Sequence, residues 1–86
     1  MAARSLVIGR QAREFLNRQD RATVEHLLDV FNALRNDPEV DGVTKRHLLM
    51  LPIVQRLWSD AHYWIRYTYE PDLDRVRIHE IGTEPG

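Results

Sequence analysis

The chain reads as a single α+β domain spanning residues 1–86: a short N-terminal strand, a two-helix hairpin, then a three-stranded antiparallel sheet. Three observations predict it. Apolar residues recur at steps of three and four through the first half, and the second half shifts to β-branched and aromatic runs broken by polar turns. No repeat, low-complexity segment or linker separates the halves, and 86 residues suffice for one modest core but not two.

Taken in order, Ser5-Leu6-Val7-Ile8 is an apolar run ended by Gly9, long enough for a strand and too short for a stable helix. Ala12, Phe15 and Leu16 then set a helical period over 10–18, and Asn17-Arg18-Gln19-Asp20 supplies a polar turn. Asp20 can cap the next helix, whose apolar positions Ala22, Val24, Leu27, Leu28, Phe31 and Leu34 continue until Asn36-Asp37-Pro38. Residues 39–44, with Asp41-Gly42, form a turn-rich connection. Strands are expected over 54–58, 63–69 and 75–81, the last two paired as a hairpin through the compact turn 70–74. The tail from Gly82 is expected to fray.

Composition narrows the chemistry. Hydrophobic residues at 43% and charged residues at 29% are ordinary for a globular protein. The absence of cysteine removes disulfides, thiolate metal sites and a cysteine nucleophile. The longest apolar stretch, residues 48–54, is far too short to span a bilayer, so a cytoplasmic protein without membrane contact is expected. The four glycines, at 9, 42, 82 and 86, form no phosphate-cradling loop. The histidines show no metal-ligand spacing, and Ser5 and Ser59 sit in no nucleophile elbow, so neither metal nor cofactor is expected. A formal charge of −1 gives no general attraction to nucleic acid. Eleven of the twelve basic residues are arginine, however, and its planar donor fork suits phosphate and carboxylate.

Alternation along the last strand puts Val76 and Ile78 on one face and Arg75, Arg77 and His79 on the other. In the strand before it, Tyr63, Ile65, Tyr67 and Tyr69 share a side, opposite Trp64, Arg66 and Thr68. Lys45-Arg46-His47 forms the one dense basic cluster, just upstream of the expected sheet. Together with Arg56 these residues compose a surface able to meet phosphates or an acidic peptide. Arg75 and Arg77 equally suit an ordinary solvated sheet face, and the tryptophans and tyrosines suit a core or interface.

In Ala12-Arg13-Glu14-Phe15-Leu16, Leu34-Arg35-Asn36-Asp37-Pro38, Gly42-Val43-Thr44-Lys45, Arg56-Leu57-Trp58, Tyr63-Trp64-Ile65-Arg66-Tyr67 and Val76-Arg77-Ile78-His79-Glu80-Ile81-Gly82, the chain resembles the RelE/ParE superfamily of bacterial type II toxins. The likeness spans almost the whole chain. It implies a toxin held in check by a cognate antitoxin, with a RelE-like member cleaving mRNA on the ribosome. It further implies that Lys45, Arg46, His47, Arg56, Arg66, Arg77 and His79 occupy the regions where the catalytic basic residues would lie. Two departures stand out: Trp64 follows Tyr63 where the family usually has arginine, and Thr83-Glu84-Pro85-Gly86 follows Gly82 in place of basic residues and a late tyrosine. The alternatives are a ParE-like toxin that binds DNA gyrase without nuclease chemistry, and a family member acting only as an interaction module. In each case an apolar groove along the second helix is the expected antitoxin site.

Overall fold

A computed structural model describes residues 4–39, 41–42, 44–49 and 54–84. Strand β1 (Ser5–Ile8) leads into helix α1 (Arg10–Asn17) and helix α2 (Arg21–Asn36). Strands β2 (Lys45–Leu49), β3 (Val54–Ser59), β4 (Tyr63–Glu70) and β5 (Arg75–Thr83) follow. They form one five-stranded sheet in the order β1-β5-β4-β3-β2. β1 runs parallel to β5, and the other neighbours are antiparallel.

Five strands replace the three-stranded antiparallel sheet expected from sequence. The N-terminal strand joins the sheet at one edge, its helices serving as the crossover that a parallel pairing requires. The Lys45-Arg46-His47 cluster belongs to β2 at the other edge. It reads poorly as a strand because a basic triplet interrupts the apolar pattern on which strand recognition rests. Residues 40 and 43 of the connection, 50–53 of the apolar run and 85–86 of the tail lie outside the described residues. The fraying expected from Gly82 does not begin there, since Gly82 and Thr83 still pair with Trp64 and Tyr63.

Both helices lie on one face of the sheet. Ala12 of α1 and Leu27, Val30, Phe31 and Leu34 of α2 meet Ile65 and Tyr67 of β4 and Val76, Ile78 and Ile81 of β5 in the core. Asp20 starts α2, its side chain accepting the Thr23 amide at 2.9 Å. Arg4 closes the other end: its guanidinium donates to the Asn36 carbonyl at 3.0 Å and the Arg35 carbonyl at 3.3 Å, placing a cation at the negative end of the helix. Leu27, Val30, Phe31 and Leu34 of α2 are thus committed to this chain's own core, while Ala22 lies exposed and Val24 half-buried on the same helix. Leu28 is the large apolar residue that α2 leaves exposed.

The connection leaving α2 is pinned to the sheet by three adjacent strands. Tyr67 donates its hydroxyl to the Pro38 carbonyl at 3.0 Å, and Arg56 donates to the same oxygen at 2.7 Å. Lys45 donates to the Asp37 carbonyl at 2.8 Å. Buried carbonyls just past a helix end would otherwise lack partners. Burial pushes the Tyr67 hydroxyl up to about 12, so it remains a donor at any physiological pH. The turn between β4 and β5 is a 3-10 segment, Pro71–Leu73, ended by Asp74 in the left-handed region, which aspartate tolerates.

One irregularity organises the sheet. β4 and β5 pair Arg66 with Glu80 and Tyr67 with Ile78, so His79 is an extra residue in β5. This β-bulge leaves His79 on the helix-free face, turns Glu80 to that face as well and returns Ile81 to the core, where strict alternation from Ile78 would place it in water. Gly9 anchors the start of α1 at the same point, its amide donating to the Ile78 carbonyl at 2.7 Å. A Cβ on Gly9 would come within 2.9 Å of that oxygen. Gly9→Ala is therefore expected to cost about 1–3 kcal/mol through overpacking, read as a lower urea midpoint. An unchanged midpoint would show that this junction is loose.

Candidate functional site

With both helices on one side, the other face of the sheet is open, and the strand register writes its rows. Leu48, Gln55, Thr68 and Arg77 align across β2 to β5. Arg46, Leu57, Arg66 and Glu80 form the next row, with His79 bulged between the two. Gln55, Thr68, Glu70, Arg77 and His79 line a cleft of about 340 Å³ on this face.

Inside the cleft the polar groups are joined. Thr68 Oγ1 and His79 Nε2 share a 2.6 Å hydrogen bond. Glu70 accepts from Arg75 at 2.8 and 3.3 Å and from Arg77 at 3.2 Å. Arg66 donates to Gln55 Oε1 at 2.9 Å and to Glu80 at 3.0 Å. Burial holds the His79 imidazole below the usual histidine range, and the Arg66 and Arg77 charges push the same way against weaker support from Glu70. The ring is accordingly neutral at pH 7 and able to accept a proton. Hydrogen bonds from Arg75, aided by Arg77, keep the Glu70 carboxyl below the usual carboxylate range, so it stays ionised.

The seven basic residues singled out in the sequence do not all meet here. Arg66, Arg77 and His79 come together at the cleft, and Arg46 lies on the same face two strands from Arg66 and exposed. Lys45, His47 and Arg56 fall on the helix side, in register with Trp58, Arg56 and Tyr67. Lys45 is 7% exposed and bound to Asp37 and Asp41 as well as to the Asp37 carbonyl. Arg56 holds Pro38 and Glu39 and stacks over Tyr69 at 5.5 Å. His47 is exposed at the edge strand.

Gln55, Thr68 and Glu70 are the cleft residues that the sequence reading passed over. A signal for the bulge was present, since the buried positions of β5 step by two from Val76 to Ile78 and by three from Ile78 to Ile81. Trp64 also faces the open side, lying against Gly82 so closely that a Cβ there would fall inside the indole. Among the described residues no group of three or more histidines or carboxylates is placed to hold a metal ion, and no helix is long and apolar enough to cross a membrane.

Two outcomes follow from this geometry. Lys45→Met leaves a buried carbonyl and two carboxylates without their cation and is expected to lower stability by about 1–3 kcal/mol in urea unfolding; no loss would remove Lys45 from the scaffold. For His79 the folded value lies below the unfolded one near 6.5. The unfolded chain therefore takes up the proton first, and the contribution of His79 is intact above about pH 6.5 and lost as the pH falls through the folded value. Wild type should lose stability more steeply than His79→Gln below that pH, and parallel curves would contradict the assignment.

No family model matches the chain, and no curated protein matches its sequence. Solved structures do. A chain of the RelBE2 toxin–antitoxin complex of Mycobacterium tuberculosis superposes with a TM-score of 0.78 at 14% identity, covering 98% of this chain and 94% of that one. A chain of the archaeal RelE–RelB complex of Pyrococcus horikoshii gives 0.77 at 13% identity, with coverages of 95% and 96%. A chain of the intact RelBE toxin–antitoxin complex of Escherichia coli gives 0.65 at 12%, with coverages of 98% and 100%. Such identities speak to architecture alone, and the architecture of this chain is the RelE-like toxin fold.

Proposed function

We propose that this chain is the toxin of a toxin–antitoxin pair, that it cleaves mRNA on the ribosome in the cytoplasm, and that a cognate antitoxin neutralises it. The observation that carries the reading is the cleft in which a neutral imidazole, His79, is set beside the Arg77 and Arg66 guanidiniums on the open face of a RelE-like sheet. The three solved structures named above are toxin–antitoxin or RelE–RelB complexes, which supports an antitoxin as partner.

The chemistry is a transesterification. His79 accepts the proton of a ribose 2′-hydroxyl, and the 2′-oxygen attacks the adjacent phosphorus. The bond from phosphorus to the 5′-oxygen breaks, and that oxygen leaves with a proton from water, giving a 2′,3′-cyclic phosphate and a 5′-hydroxyl. Arg77 and Arg66 stabilise the charge that builds on the phosphate oxygens, exchanging Glu70 and Glu80 for the substrate as it enters. Arg46 extends the cationic rim toward the flanking backbone. Lys45 and Arg56 support the scaffold from the far side.

A second reading is a ParE-like binder of DNA gyrase without nuclease chemistry. It is favoured by the carboxylates that already occupy Arg66 and Arg77 and by the indole of Trp64 on the same face. Induction in growing cells followed by mapping of mRNA 5′ ends separates the two. Cleavage predicts new ends within translated regions, and removal of His79 or Arg77 by alanine substitution should lower their yield by about 10²- to 10⁴-fold. Growth arrest with intact transcripts and inhibited gyrase supercoiling would establish the second reading. Growth without arrest would leave an interaction module.

A further inference from the structure

A histidine can serve as a base only through a nitrogen that is free to take the proton, and in this cleft one nitrogen is engaged. His79 Nε2 lies 2.6 Å from Thr68 Oγ1, a short contact between diagonal neighbours on one face, because Thr68 is in register with Arg77 rather than with His79. Among the described residues the ring makes no other hydrogen bond, which leaves Nδ1 as its available nitrogen. The remaining charged or polar groups around the ring are Arg66 and Glu70 on β4, Arg77 and Glu80 on β5 and Gln55 on β3. Gln55 and Glu80 are each bound to Arg66, and Glu70 is bound to Arg77 and Arg75. Thr68 is therefore the neighbour that orients the imidazole.

We infer that Thr68 is a positioning residue: its hydroxyl oxygen accepts from the Nε2–H of His79, which holds the tautomer with an unprotonated Nδ1 and presents that nitrogen to the 2′-hydroxyl of an RNA substrate. The inference rests on the ribonuclease reading above for its catalytic part, but the fixed tautomer is a property of the free protein. It assigns a role to a residue with no charge and no reactivity of its own. A neutral imidazole without a partner exchanges between two tautomers and rotates about its side-chain bonds, whereas a ring held on one nitrogen keeps the other aimed.

The test uses the full chain in two measurements. Nitrogen NMR of the His79 ring at pH 7.5, where the imidazole is neutral, reports which nitrogen carries the proton. Ribosome-dependent cleavage of a defined message reports kcat and KM. In wild type the two ring nitrogens should give well-separated shifts of a single tautomer. In Thr68→Val, which keeps the β-branched shape, the shifts should move toward the tautomer average, with kcat lower by about 10- to 100-fold and KM unchanged. Thr68→Ser, which restores the hydroxyl, should recover both readouts, separating orientation from any packing defect in the valine variant. Unchanged nitrogen shifts in Thr68→Val would overturn the inference outright. Shifted nitrogens with undiminished cleavage would overturn the positioning role while leaving cleavage standing. Shifted nitrogens in a wild-type protein that cuts no message would overturn the ribonuclease reading and the catalytic role with it.

Discussion

The packing of the last strand depends on a single extra residue in β5. Without the bulge opposite Arg66 and Tyr67, alternation from Ile78 would carry Glu80 into the core and Ile81 into water. With it, Val76, Ile78 and Ile81 all stay buried, and His79 stands between the Thr68–Arg77 row and the Arg66–Glu80 row. The same point receives the helix layer, because the Gly9 amide bonds the Ile78 carbonyl. A local kink in one strand thereby fixes the core register, the start of α1 and the outward facing of Glu80 together.

The fold was legible in the first half of the sequence because its signals are local. Asp20 caps α2 as its position suggests, and the steps of three and four identify the buried residues Leu27, Phe31 and Leu34. The strand β2 and the place of β1 in the sheet were missed for a different reason. Whether Ser5–Ile8 pairs with β5, and whether Lys45–Leu49 pairs with β3, is set by partners far away in the chain, which propensity does not encode. The alternation of Arg75 and Arg77 against Val76 and Ile78 was read correctly, since one buried face enforces it.

The site was legible only in part. Arg66, Arg77 and His79 share a face because alternation dictates it, but Lys45, His47 and Arg56 fall on the other side because the register of β2 and β3 places them there. Their charge serves the chain leaving α2, where Lys45 and Arg56 satisfy two carbonyls. Gln55, Thr68 and Glu70 escaped notice because neutral or acidic side chains do not stand out in a search for phosphate-binding cations. In the structure they decide what the cations do: Glu70 occupies Arg77, Gln55 steadies Arg66 and Thr68 engages His79. Four of the eleven arginines, Arg46, Arg66, Arg75 and Arg77, share the open face, where Glu70 and Glu80 offset part of their charge.

In the proposed function the helix-free face is the surface that meets the message. Photocrosslinking on translating ribosomes tests this directly, with a photoreactive residue placed either at Leu57, between Arg46 and Arg66 on that face, or at Asn32, exposed on α2. Crosslinks to mRNA from position 57 and none from position 32 are the expected result. Crosslinks from position 32 alone would mean that the working surface lies on the helical side and would contradict the account.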